Sequence, residues 1–439
     1  MSAKVCKFGG SSLADADQLR KVKAIVDADP RRRYIVPSAP GRRTPDDQKI
    51  TDLLYLCHAS AEQRIGIDET FNRIADRYTR LVKDLGLALD LTDELEGIRR
   101  RIEAGATADY TASRGEYLNA RIIAEMLGCE MVDAAQIIHF KPNGRFDADQ
   151  THDAVSQRLR KLDRAVVPGF YGSLPDGAVK TFSRGGSDIT GAIVARAVNA
   201  EVYENWTDVS GLLQADPRII QSPLPIATVT YAELRELAYM GATVLHDEAI
   251  FPVRQAGIPV NIRNTNAPDD PGTMIVKDAA PIAEHGRITG IAGRKDFTII
   301  HVEKSLMNAE VGFGHRLLGV LERHSVNFEH LPSGIDTMSL VVADSELQGK
   351  LDEVLAGIRA DCKPDGLDVQ ENMALVATVG RGMASTPGMA ARLFTALADA
   401  RVNIRMIDQG SSELNIIVGI AADDFETAMR AIYAAFVKP

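Results

Sequence analysis

Short apolar runs alternate with longer stretches of helical period through roughly the first 285 residues. Val5–Phe8, Tyr34–Pro37, Glu130–Val132, Ala165–Gly169 and Pro259–Ile262 read as strands, and another runs from Glu201 to Thr207 and Asp208. Helical patterns fill Leu13–Asp27, Asp68–Leu85, Asp93–Ala104 and Glu116–Leu127, the last with Gly128 placed as its C-cap, and one more passes through Ile189, Ile193 and Val198. Strands separated by helices predict a mainly parallel sheet covered by helices. In open sheets of this kind ligands gather at the carboxyl ends of the strands. Lys7, Gly9, Gly10, Arg184 and Asp208 all fall there.

The pattern changes where turn formers cluster, at Asp269-Asp270-Pro271-Gly272 and again at Ala279-Ala280-Pro281. A domain boundary is expected near residue 285. Beyond it the chain repeats itself at a constant offset of 76 residues (388 − 312): Gly312 pairs with Gly388, Leu317 with Leu393, Leu321 with Leu397, Val326-Asn327 with Val402-Asn403 and Gly334 with Gly410. Such a period marks internal duplication. Each copy reads strand, glycine-led helix, strand, strand, helix. The second copy ends on a helix at Phe425–Phe436, so its last strand is missing or comes from elsewhere.

Composition narrows the class without naming it. A chain of 439 residues with 45% hydrophobic content buries a large core and suggests two or three domains. Its net charge of −10, from 50 basic and 60 acidic residues, argues against general binding of nucleic acid or of an anionic membrane. Cys6, Cys57, Cys129 and Cys362 lie far apart, which fits a reduced compartment without a zinc site. The nine histidines show no metal-ligand spacing. No run approaches the length of a membrane span, and Lys4 and Lys7 leave no room for a signal core. The expectation is a cytoplasmic protein. The sequence stops at residue 439, so no further catalytic module is expected after the repeat.

Three motifs carry candidate chemistry. Val5-Cys6-Lys7-Phe8-Gly9-Gly10-Ser11-Ser12 runs from a strand into two glycines and two hydroxyls, an arrangement suited to a triphosphate: backbone amides can approach phosphate oxygens while a lysine adds charge. By itself a strand ending in Gly-Gly is equally a plain tight turn, and the spacing matches neither the P-loop nor the dinucleotide fingerprint. The second motif, Thr181-Phe182-Ser183-Arg184-Gly185-Gly186-Ser187-Asp188, leads into a helix. The third, Glu201 to Gly211 with Trp206-Thr207-Asp208-Val209, is followed by Asp216-Pro217-Arg218. Read alone, Asp-Pro is a common turn and Arg114 and Arg218 are ordinary surface charges. Cys6 reads as a small buried strand residue. Tyr203 and Trp206 are candidates to stack on a base, although strand alternation turns only some of these side chains to one side.

In order and spacing these motifs resemble those of the aspartate kinases. The resemblance implies the amino-acid-kinase fold, a three-layer α/β/α sandwich with a mainly parallel sheet, over residues 1–285. Two ferredoxin-like ACT domains of βαββαβ type are then expected over 286–371 and 372–439. It also implies transfer of the ATP γ-phosphate to the β-carboxylate of L-aspartate, the first step toward lysine, threonine and methionine. The acceptor carboxylate is already ionised at neutral pH, so no general base is needed. Catalysis is then positioning and charge neutralisation. Lys7, Arg184 and Asp188 are the expected catalytic residues, with Arg184 suited to the α-carboxylate. Thr51, Glu116, Gly186 and Ser187 join them around aspartate, Glu116 at the family position that meets the α-amino group. Asp188 could bind substrate or only cap its helix. Lys7, Gly9, Gly10, Ser11, Thr207, Asp208, Asp216 and Arg218 are expected on the ATP side, with Mg2+ held mainly by ATP oxygens. Lys7, Arg184 and Arg218 would then form a local positive pocket in an acidic protein.

For the repeat, the resemblance implies sensing of an amino acid such as lysine or threonine. Gly312 and Phe313 start a helix whose amides favour a carboxylate, Glu329 could face an amino group and Ser333 could hydrogen-bond. The plain alternative is that these residues cap a helix and fill a subunit interface. The loop Met406–Ser412 carries further polar residues. ACT modules commonly pair across subunits, so a homodimer or a dimer of dimers is expected.

Two departures from the family pattern stand out. Thr243 and Asp247 occupy places where many members carry lysine and proline, removing one cationic contact to nucleotide. Ala39-Pro40-Gly41-Arg42-Arg43-Thr44 is longer and more basic than the usual turn, so Arg42 or Arg43 could supply the missing charge. Other readings are an amino-acid or carbamate kinase of the same fold, and a non-catalytic sensor with a decayed kinase domain. Paired ACT modules and the setting of Glu116 disfavour the first. Retained Lys7, Arg184, Asp188 and Asp208 disfavour the second.

Overall fold

Strand β1 (Lys4–Phe8) runs parallel to β2 (Arg32–Pro37), and both are buried along most of their length on either face, as strands covered on both sides are. The computed structural model describes residues 2–183, 185–241, 247–277 and 286–437. Further strands are β3 (Glu130–Met131), β4 (Ala165–Val166), the hairpin β5 (Tyr171–Ser173) and β6 (Val179–Thr181), β7 (Val202–Thr207), β8 (Thr228–Thr230), β9 (Val260–Asn264) and β10 (Thr273–Val276). Outside the hairpin they form one sheet in the order β3-β4-β2-β1-β7-β9-β10-β8, parallel throughout except where β10 meets β9. The helices are α1 (Ala16–Ala28), α2 (Ile50–Glu62), α3 (Asp68–Leu85), α4 (Thr92–Glu103), α5 (Ala108–Leu127), α6 (Ala148–Leu159), α7 (Gly186–Val198), α8 (Tyr231–Tyr239) and α9 (Phe251–Ala256). Phe8, Leu19, Val22, Tyr78, Leu118 and Ile122 belong to one fully buried cluster that fixes β1 against α1, α3 and α5.

The helix expected over Leu13–Asp27 is two elements. Gly10–Leu13 forms a 3-10 turn, and α1 begins only at Ala16, with Asp15 accepting a hydrogen bond from the Gln18 amide. The amides immediately after β1 therefore belong to the short turn, and α1 is capped separately by its own aspartate. Helix α5 starts eight residues before the expected Glu116, at Ala108, with Thr107 as its cap, and ends at Gly128 in the left-handed conformation (φ 60°).

The chain divides into two compact units, the first comprising Met1–Leu212, Pro225–Tyr231 and Val244–Ala279 and the second Leu213–Leu224, Ala232–Thr243 and Ala280–Pro439. The second contains strands β11 (Gly290–Glu303), β12 (Thr337–Ala343), β13 (Gly366–Val379), β14 (Ile404–Asp408) and β15 (Asn415–Ala421). Helices α10 (Phe313–Arg323), α11 (Asp344–Leu347), α12 (Leu351–Cys362), α13 (Met389–Asp399) and α14 (Phe425–Phe436) accompany them. The antiparallel sheet runs β12-β11-β13-β15-β14.

Its two central strands are shared by the repeats. The second half of β11 pairs with β12, whereas Gly290–Arg294 pairs with the second half of β13, which in turn pairs with β15. The strand that the second repeat lacks at its end is thus supplied by the start of β11. Both long strands change register at a left-handed residue, Asp296 (φ 70°) and Asn372 (φ 56°), the side chains that best tolerate that conformation. The repeat extends to the backbone, since Asp296 with Asn372, Gly312 with Gly388 and Ser325 with Arg401 all combine positive φ with the 76-residue offset (372 − 296). Separate clusters lie under each half, one around Leu317 and Val320, the other around Leu393 and Leu397. Among the described residues no helix is long and apolar enough to cross a membrane.

Candidate active site

Lys7, next to last in β1, is buried, and its Nζ lies 2.7 Å from Asp188 Oδ1. Asn205 on the neighbouring strand completes the triangle: its Nδ2 donates to Asp188 Oδ1 at 2.9 Å and its Oδ1 accepts from Lys7 at 3.4 Å. Among the described residues no amide at the start of α7, whose N-cap is Gly185 (φ 57°), donates to Asp188, which is held instead by Lys7 and Asn205. The sequence reading did not single out Asn205.

The turn after β1 is held by backbone. Gly9 N–H donates to Trp206 O at 3.0 Å, Ser12 N–H to Gly9 O at 3.0 Å and Gly41 N–H to Gly10 O at 2.8 Å. A Cβ on Gly41 would sit 2.5 Å from Gly10 C, so only glycine permits this approach. Two cavities open here. One of about 610 Å³ is lined by Gly10, Ser11, Arg42, Thr51, Glu116 and Asp208 among others, and one of about 210 Å³ by Lys7, Gly186, Ser187 and Asp188. Ser38, Thr51 and Glu116 line both.

Glu116 is buried, and its Oε2 has no hydrogen-bond partner. Burial pushes its carboxyl up to about 8, only partly offset by the Ala39 backbone amide and the Arg114 charge. Phe170 was not foreseen. It lines the smaller cavity with φ 84°, held there by its amide on Thr190 Oγ1 and its carbonyl on the Phe182 amide, both at 3.0 Å. A Cβ on Gly186 would fall 2.4 Å from the Phe170 ring. No sequence signal marks a left-handed phenylalanine, although strained residues of this kind cluster at functional sites.

Of the other expected residues, Arg184 and Thr243 lie outside the described residues. Thr207 ends β7 and donates to Asp208 at 3.2 Å, but lines neither cavity. Asp216 and Arg218 fall in the second unit, paired with each other at 2.6 Å. Arg43 is bonded to Asp47, while Arg42 is exposed on the wall of the larger cavity with no partner among the described residues.

Three readings need correction. Arg114 is not a surface charge: it is buried, with its guanidinium 4.6 Å from the rings of both Tyr110 and Tyr117 and 5.4 Å from Tyr171. Tyr203 and Trp206 are not available to a base. Both are fully buried, Tyr203 donating to Asp188 O and Trp206 stacked on Phe8 with Arg32 and Arg263 over its ring. Cys6 is a core residue as expected, its thiol pushed well up by burial and by Glu204. In the second unit, Gly312 (φ 83°) caps α10, but Phe313 is turned into the core and does not present its ring at the helix start. Glu329 donates its amide to Val341 O and bonds Tyr239 through its side chain, and Ser333 bridges to Met338.

Comparison with known proteins defines the class first. The amino acid kinase family profile matches residues 2–264 and an ACT domain profile matches 376–436, and the chain belongs to the amino acid kinase family. Aspartokinase 3 of Bacillus subtilis is 38% identical over 454 residues, covering 99% of this chain and 98% of that protein. The aspartate kinase of Clostridium acetobutylicum, described as an allosteric enzyme, superposes with a TM-score of 0.95 at 55% identity, over 99% of this chain and 100% of that one. Aspartokinase III of Escherichia coli, solved with aspartate and ADP, follows at 0.74 and 25% identity, again over 99% and 100%. Solved with lysine and aspartate, the same protein gives 0.75. Within its family this chain is therefore an aspartokinase, an ATP-dependent aspartate kinase with an ACT-containing regulatory region.

Proposed function

We propose that Lys7 neutralises charge on the phosphoryl group as it passes from ATP to the aspartate β-carboxylate, with Asp188 and Asn205 fixing the ammonium in place. The observation that carries this reading is the Lys7–Asp188–Asn205 triangle, with Lys7 and Asn205 buried, opening into a cavity that shares Thr51 and Glu116 with its larger neighbour. A lysine held by a carboxylate and an amide loses little freedom when the phosphate arrives, which is the preorganisation that phosphoryl transfer needs.

ATP enters with Mg2+ as its substrate complex. The ion rides mainly on phosphate oxygens, with Asp208 on the wall of the larger cavity as its candidate carboxylate. The amides of the Gly10–Leu13 turn approach the phosphates. Glu116, at the shared wall, accepts the α-ammonium of aspartate, and Thr51 adds a hydroxyl. An amino-acid effector acts on the ACT halves near Glu329 and Ser333, and subunits pair through these modules. The lysine complex of the E. coli enzyme supports lysine as the first effector to test.

The test is ATP-dependent formation of aspartyl phosphate, trapped as the hydroxamate, with and without lysine and threonine, for the parent chain and Lys7→Ala. Loss of one preorganised charge lowers kcat by about a hundred- to a thousandfold. A Lys7→Ala variant of unchanged kcat would remove Lys7 from the mechanism.

A further inference from the structure

Helix α3 presents Arg73, Asp76, Arg77 and Arg80 at i, i+3, i+4 and i+7, so all four share one face. Together with Arg43 and Asp47 they line a cavity of about 190 Å³, separate from the two already described. Four arginines face two aspartates, a surplus of two positive charges in a protein whose net charge is −10. Arg77 is the centre of this site. It is buried to 6% exposure, yet its Nε has no hydrogen-bond partner. Burial, then the charge of Arg43, push its guanidinium below its ordinary value. Arg73 and Arg80 are exposed and without a partner among the described residues.

We propose that this pocket binds a small doubly charged oxyanion of the phosphate class. The exposed, unpaired forks of Arg73 and Arg80 supply donors above the buried charge of Arg77, and the surplus charge matches a dianion. The cavity is smaller than the roughly 300–1,000 Å³ of sites for larger organic ligands, which favours an inorganic anion over a nucleotide.

Occupancy reaches the nucleotide turn through Arg77 itself. Its Nη2 donates to Gly41 O at 2.7 Å and to Ala14 O at 2.8 Å, and Gly41 is the residue whose amide bonds Gly10 O. Arg43, which lines both this pocket and the 610 Å³ cavity, shares Asp47 with Arg77. An anion that draws Arg77 or Arg43 toward itself loads the segment from Gly41 to Asp47 and, through it, the phosphate-binding turn.

Inorganic phosphate is the probe, titrated calorimetrically into the full chain already saturated with ADP and Mg2+. The parent chain binds one equivalent, and Arg73→Ala/Arg80→Ala binds at least about tenfold more weakly while its basal hydroxamate-assay activity is unchanged. Phosphate also shifts the KM for ATP in the parent and not in the double variant. Absence of binding, equal affinity in both proteins, or an equal rise in KM for ATP in both overturns the proposal, because each leaves only the active site or no site at all.

Discussion

Glu116 should make aspartate binding depend on pH in a way no exposed carboxylate could. With its carboxyl at about 8, the residue is mostly protonated at pH 7. An α-ammonium requires the ionised form, so the apparent dissociation constant carries a factor of 1 + 10^(8 − pH), about 100 at pH 6, 11 at pH 7 and 2 at pH 8. Affinity for aspartate therefore improves by up to about fiftyfold between pH 6 and pH 8. Binding near pH 7 releases close to one proton, which titrations in buffers of different ionisation enthalpy count directly. The same group bears on stability. Its folded value lies above the ordinary 4.5, so the folded chain holds the extra proton between these limits. The stabilisation is full below about pH 4.5 and is lost as pH rises through 8, by at most about 5 kcal/mol at 1.36 kcal/mol per unit. Glu116→Gln flattens both profiles, raising stability relative to the parent at pH 8 and weakening aspartate there. A KM for aspartate constant between pH 6 and 8, or the same slope in Glu116→Gln, refutes the assignment.

Gly41→Ala places a Cβ 2.5 Å from Gly10 C, where backbone must move, and is expected to lower kcat/KM for ATP by on the order of tenfold to a hundredfold with the aspartate KM less affected; steady-state kinetics at varied ATP decides it. Arg42→Ala removes the unpaired cation on the cavity wall and should raise the KM for ATP several-fold, on the order of 1 kcal/mol. Arg43→Ala, whose guanidinium is already bonded to Asp47, should raise it less. The reverse ranking would move the compensating charge to Arg43.

Much of the fold was legible because its signals are local. The sequence pattern and the structure agree on α3 at Asp68–Leu85, since its buried face runs through Phe71, Ile74, Tyr78, Leu81 and Val82 at helical spacing. The Gly-Gly turn, Lys7 and Asp188 were visible as a strand end and a helix start. What was not visible depends on tertiary pairing. Nothing in the sequence says that Asn205 shares Asp188 with Lys7, that three tyrosines enclose Arg114, or that Trp206 faces Phe8. Phe313 follows a glycine that can meet a ligand, but its own period places it with Leu317 and Val320 in the core. The origin of the second repeat's missing strand was unreadable because β11 is one continuous run whose two halves serve different partners.

That shared strand also gives regulation a route. Helix α8 comes from the kinase portion of the sequence, but from Ala232 onward it belongs to the second unit. Glu233 accepts from Thr289 Oγ1 and the Arg381 amide, Glu236 from Asn415 Nδ2, and Tyr239 bonds Glu329. One short helix is therefore tied to the start of the first long strand, to the segment after the second, to β15 and to the edge segment that carries Glu329. The neighbouring His330 reaches Asp408 at 2.6 Å, joining the outer segments of the two repeats. A displacement of either repeat is thus felt by both, because β11 and β13 cannot shift in one half alone without breaking register in the other. At its other end α8 follows β8 with no intervening residue, Thr230 closing the strand and Tyr231 opening the helix. Within the second unit, α8 is thus held by both repeats at once, at Glu233 and at Glu236.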